Sequence, residues 1–174
     1  MGIIMWRPTV KETRSRLEAY KKAYEAKTGQ TIALGRRAGL VRDTFVASSA
    51  AEARRIAGDA VMASLNFANW RGPRVFFEPG ETLDASEEAS LKKKLTFEFV
   101  DLRALFFGSP DDVLAKMIAL HQETGLEQLI FKSCWPGLAH EHTMRSMDLL
   151  TREVLPRFKA YLDGLPKPRA AAAK

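Results

Sequence analysis

The sequence predicts an α/β fold in which parallel strands are covered by helices, and three observations predict it. Residues 40–47 are dominated by β-branched and aromatic side chains and run directly into a helix-start motif, Ser49-Ala-Ala-Glu52. A second strand-like run at residues 127–134 leads through a turn into another helical pattern. Helical segments separate all the strands, which favours parallel pairing over hairpins.

The 174 residues make one domain, and 46% apolar with 28% charged residues is the composition of a folded chain. The expected organisation is a domain over 1–165, with an excursion at about 66–95 and a disordered tail at 166–174. A net charge of +6 permits anionic partners without requiring them. The lone Cys134 excludes an internal disulfide framework, which favours a reducing compartment and makes the cytoplasm the expected location. No stretch approaches the roughly 20 apolar residues of a membrane span.

The first helix is predicted from Thr9, which with Glu12 forms a capping box, to about Thr28, with Leu17, Tyr20 and Tyr24 on its apolar face and Gly29 at its end. The helix after Ser49 carries an apolar stripe of Ala53, Ile56, Ala57, Ala60 and Leu65. Through the excursion, Gly72-Pro73 and Pro79-Gly80 punctuate a short apolar run, and residues 84–95 read as a polar helix. Phe107-Gly-Ser-Pro-Asp-Asp-Val113 is the densest local signal: Ser109 caps, Pro110 suits the first helical position, and Phe107 with Val113 can form an apolar staple. That helix buries Val113, Leu114, Met117, Ile118 and Leu120 and stops at Gly125. The last helix starts near His140 with Met144, Met147, Leu150 and Val154 inward, and Pro156 bends or ends it.

Two confident strands and a stub at residues 2–5 make too small a parallel sheet to cover its own edges and faces. Partner strands must come from another chain or from a larger barrel.

Several constellations are weighed and set aside. No glycine-rich phosphate loop is present. His140-Glu-His142 lacks the further ligands of a zinc site, so no metal is expected. The Gly-Ser-Pro helix start favours capping over phosphate, because Asp111 and Asp112 would repel an anion. Lys92-Lys93-Lys94 reads as a solvated face rather than a phosphate contact, and Cys134 as a buried thiol rather than a nucleophile. Arg36-Arg37 and Arg54-Arg55 are interspersed with acids and accompany no reader motif, so nucleic acid is not the expected partner.

In order, the strand of residues 40–47 leading into Ser-Ser-Ala-Ala-Glu-Ala-Arg, then Phe-Phe-Gly-Ser-Pro-Asp-Asp-Val113, Trp-Pro-Gly-Leu138 and Arg-Glu-Val-Leu-Pro156, resemble the C-terminal part of bacterial-luciferase-like flavin-dependent monooxygenases. The resemblance spans residues from about 7 to 158. It implies a partial TIM (β/α)8 barrel, with the end of the sixth strand at residues 2–5, the seventh at 40–47 and the eighth at 127–134. It also implies an oxidoreductase using reduced FMN and oxygen on a small organic substrate, with a deazaflavin as the alternative cofactor and a separate flavin reductase as partner. An N-terminal half-barrel or a homo-oligomer would complete the fold, with the chain a truncated or split C-terminal portion. The alternative is a non-catalytic half-barrel subunit that assembles with itself or a paralogue. Trp135 and Trp6, at the upper ends of the eighth and sixth strands, are the expected pocket-lining residues. Arg42 matches the strand motif and is expected in a structural ion pair near the strand's start. No catalytic residue and no phosphate ligand is carried over.

Overall fold

The Thr9 hydroxyl accepts a hydrogen bond from the Glu12 amide at 3.2 Å, and behind this cap α1 runs over Val10–Thr28 to a left-handed Gly29. It follows a short strand, β1 (Ile3–Trp6), in the computed structural model, which describes residues 2–166. The expected tail therefore lies, from residue 167 on, outside the described residues. The long strand β2 (Ala38–Val46) leads through Ser49, which accepts from the Glu52 amide, into α2 (Ala50–Phe67).

The excursion is more structured than its punctuation suggests. Two 3-10 turns, Ala68–Arg71 and Pro73–Phe76, precede α3 (Ala85–Lys93), whose start Asp84 caps. Two further elements that the residue pattern did not reveal follow: α4 (Phe97–Ala104) and a strand, β3 (Leu105–Gly108). Then come α5 (Pro110–Thr124), β4 (Gln128–Lys132) and α6 (His140–Leu149). Pro156 has the effect its chemistry demands. Having no N–H to donate, it sits at the start of α7 (Leu155–Asp163), and a π-turn at Leu150–Val154 separates that helix from α6.

All strand pairs are parallel, and all are made through β2. Leu40 and Val41 pair with β1 and β4 at once, so those strands take opposite edges of β2. Asp43 pairs with Leu105 and Lys132, so β3 continues along the β1 side, further towards the carboxyl end. Among the described residues, the outer edges of β1 and β4 have no partner strand.

The two faces of β2 feed two separate cores, as strand alternation requires. Ala38, Leu40 and Val46 pack with Leu17, Val113, Met117, Leu120, Leu150 and Val154, beneath α1, α5 and the π-turn before α7. Phe45 points the other way, into a cluster of Ala57, Val61, Val100, Phe107 and Trp135 beneath α2 and α4. This second core covers the sheet only near the carboxyl ends of the strands. Towards the amino ends of that face, Ile4 and Ile130 are exposed at 70% and 42%. Trp6, Val41 and Ile130 lie side by side across β1, β2 and β4, a row like the layers inside a closed barrel. The architecture is thus an α/β partial TIM barrel.

Packing corrects three sequence expectations. The Phe107–Val113 staple is not made, because Phe107 enters the second core and Val113 the first. In α6 the buried positions are Thr143 and Ser146, while Met144 and Met147 are exposed. The reason is a polar anchor: the Ser146 hydroxyl accepts the Val46 amide at 2.7 Å and turns the helix by one position. Cys134 is exposed rather than buried, because β4 ends at Lys132 on the open edge.

Candidate functional site

At the carboxyl end of β1 the chain turns through Arg7, whose φ of 67° is unusual for a residue with a side chain. That conformation costs about 1–2 kcal/mol. It directs the guanidinium onto Asp43 of β2. Nε and Nη2 both donate to the Asp43 carboxylate, the latter at 3.1 Å. Asp43 is completely buried and also accepts from Trp135 Nε1 at 2.8 Å and Lys132 Nζ at 3.4 Å. One carboxylate therefore organises the ends of β1, β2 and β4. Two cations, Arg7 and Lys132, share a single anion, so the cluster carries one net positive charge. Burial pushes the Lys132 ammonium below the usual lysine range, against the opposing pull of Asp43.

Above this cluster lies a cleft of about 210 Å³, walled by Trp6, Arg7, Leu65, Asn69, Trp70 and Phe76. The Arg7 guanidinium carbon stands 4.3 Å from the Trp6 ring centre, a cation–π contact that fixes both side chains. Trp6 and Trp70 are both more than half exposed. Asn69 donates through Nδ2 to the carbonyls of Leu91 and Lys92, at 3.0 and 3.1 Å, and so ties the 3-10 turn to the end of α3. Its Oδ1 is buried with no hydrogen-bond partner, which costs about 1–3 kcal/mol if no ligand meets it.

The two expected pocket-lining residues separate here. Trp6 stands in the cleft, whereas Trp135 is 2% exposed and packs 5.7 Å from the Phe107 ring. Trp135 reaches the cleft only through Asp43 and Arg7. The turn that carries it is the expected one: Leu138 N–H bonds to the Trp135 carbonyl, and Gly137 supplies a φ of 89° after Pro136. Arg42 is also corrected. It lies in the middle of β2 rather than near its start, faces the other core, and leaves Nε and Nη1 unpartnered. Burial pushes its guanidinium down to about 10, opposed by the charges of Asp43 and Glu78. The ion pair expected of Arg42 belongs to Arg7 and the next residue, Asp43.

The remaining candidates do not join the cleft. Lys92, Lys93 and Lys94 are exposed. Arg36, Arg54 and Arg55 each pair with a carboxylate, on Glu127, Glu98 and Glu52 respectively, so they form no continuous basic patch. Among the described residues no three His, Cys, Asp or Glu side chains gather as a metal site. Asp111 and Asp112 occupy the first turn of α5, where Asp112 completes the capping box with Ser109. No described helix is long and apolar enough to cross a membrane.

Parallel strands that bring a cleft to their carboxyl ends define the class: an α/β barrel segment with a cleft at the end where barrel enzymes carry their sites. Solved structures of flavin and deazaflavin enzymes share that architecture. The oxygenating constituent of 3,6-diketocamphane monooxygenase from Pseudomonas putida, in complex with FMN, superposes with a TM-score of 0.63 at 22% identity, over 88% of this chain and 42% of its own. The monooxygenase RslO1 from Streptomyces bottropensis gives 0.61 at 18%, over 90% of this chain and 42% of its own. The coenzyme F420-dependent tetrahydromethanopterin reductase from Methanopyrus kandleri gives 0.60 at 15%, over 90% and 45%. The chain thus has the fold of part of the α/β barrels of these proteins and spans less than half their length. No family model matches the chain, and no curated protein matches it by sequence.

Proposed function

We propose that this chain is the C-terminal portion of a flavin-dependent monooxygenase that uses reduced FMN and oxygen on a small organic substrate. The observation that carries the reading is the Trp6–Arg7–Trp70 cleft at the carboxyl end of β1, in a fold shared with flavin and deazaflavin enzymes. The residues present fit an isoalloxazine. Trp6 and Trp70 offer aromatic faces, and the excess positive charge shared by Arg7 and Lys132 suits a ring whose reduced form holds negative charge at its pyrimidine end. A deazaflavin retains the same ring edge and would fit equally. Among the described residues nothing in the cleft is placed to hold the cofactor's phosphate.

Bound there, the flavin supplies the oxygen-activating chemistry. This chain's residues bind and orient it: Trp6 stacks, Arg7 donates to the pyrimidine edge, and the second core behind Trp135 excludes water from below. Trp135 acts through Asp43, which holds the Arg7 fork in place. The reading places the protein in the cytoplasm and gives it a separate flavin reductase as partner. The row of Trp6, Val41 and Ile130, exposed at both outer members, and the unpaired edges of β1 and β4 favour completion by the preceding strands of such a barrel, carried by the same polypeptide or by another. The same surfaces favour a second reading, a non-catalytic half-barrel subunit that assembles with itself or a paralogue.

Titration with FMN, with and without an N-terminal half-barrel, tests the proposal. Together with that half and a reductase the chain is expected to support NAD(P)H-dependent oxygen consumption with a substrate. Assembly with no flavin binding favours the subunit reading. Neither binding nor turnover in complemented material overturns the enzyme reading.

A further inference from the structure

We infer that the cleft reads the imide edge of a flat heterocycle, with the Asn69 side-chain oxygen accepting the ring N–H and the spare Arg7 nitrogen donating to the neighbouring carbonyl. The inference rests on the flavin reading and adds what recognises the ring and along which edge.

The orientation of the Asn69 amide is not a free choice. Both partners of its Nδ2 are backbone carbonyls, of Leu91 and Lys92, which can only accept. Oδ1 is therefore the atom left over, buried without a partner in a side chain that helps to wall the cleft. Arg7 is constrained in the same way: Nε and Nη2 are committed to Asp43, and among the described residues no hydrogen bond is made by Nη1. Arg7 is 6% exposed and Asn69 8%, so both groups are preset by their surroundings.

A donor and an acceptor in the walls of one aromatic-lined cleft call for a ligand with an acceptor and a donor along one edge. A carboxylate or phosphate offers acceptors only and would satisfy Arg7 while setting negative charge against the Asn69 oxygen. A hydrocarbon satisfies neither. A cyclic imide, O=C–NH–C=O, meets both, and the flat faces of Trp6 and Trp70 suit the ring that carries it.

The two groups that read the imide, Asn69 and Arg7, belong to this chain, so the full chain alone serves for the test, and the ligand rather than the protein is altered. Quenching of tryptophan fluorescence is measured with lumiflavin and with its N3-methyl derivative, which differs only by a methyl on the imide nitrogen. Lumiflavin is expected to bind at least about tenfold more tightly, because the methyl removes the donor and leaves Oδ1 unpaired. Equal affinities overturn the imide assignment and leave the flavin reading standing. No binding of either ligand to the chain alone overturns the imide assignment, whereas the flavin reading stands or falls with the complemented material.

Discussion

Asp43 is the residue on which the site turns, since its buried carboxylate receives Arg7, Lys132 and Trp135. Replacing it by Ala would leave two cations and an indole N–H without their acceptor inside the fold. Breaking a buried pair in this way costs about 3–5 kcal/mol, so Asp43→Ala is expected to lower the midpoint of urea unfolding steeply. Exposed pairs such as Arg152–Asp148 should contribute about 0–1 kcal/mol, and Arg152→Ala is the control. Equal midpoints for the two variants would show that the cluster does not organise the strand ends. Trp6 was expected at the cleft only through the barrel resemblance, which puts the end of a strand at residues 2–5, and the structure places it at the end of β1. The Asp43 cluster was not legible: its partners lie 36, 89 and 92 residues away in the chain, and Asp43 sits in a run that reads as an ordinary strand. The Asn69 oxygen was equally hidden, since only the folded turn shows which half of the amide is left over.

The elements best anticipated are those with a chemical stop or start. Ser109, Pro110 and Asp112 open α5, Gly125 closes it, and both ends lie where local capping chemistry puts them. Elements without such marks were missed. β3 is only four residues long and follows α4 with no intervening turn, so neither shows a full period of its own. The buried face of α6 was misplaced because a serine hydroxyl, not an apolar side chain, fixes its rotation. Close backbone approach gives the test at this scale. Gly35 has a φ of 79°, and a Cβ there would lie 2.2 Å from the Gly125 carbonyl oxygen, where the loop before β2 meets the end of α5. Gly29 has a similar φ of 69° with nothing within 4 Å. Gly29→Ala should therefore cost about 1 kcal/mol from conformation alone, and Gly35→Ala clearly more, read as the difference in thermal midpoint. Equal losses would mean that the loop does not pack against α5 as described.

Taken as a whole molecule, these βα units have the form of a segment of a closed barrel. Parallel pairing follows from the alternation of helices with strands, whereas the order, with β1 and β4 on either side of β2, is what the barrel resemblance implies. The row of Trp6, Val41 and Ile130 on the inner face could not be foreseen, because register emerges only when the strands are paired. That row and the unpaired edges have the form of surfaces that another wall would cover. Hydrogen exchange over Gln128–Lys132 tests this most directly, with the chain alone and with a polypeptide carrying the first five strands of such a barrel. The β4 amides facing away from β2 are expected to exchange fast in the chain alone and to become protected on mixing. Slow exchange in the isolated monomer, or no change when the five-strand partner is added, would contradict the barrel reading.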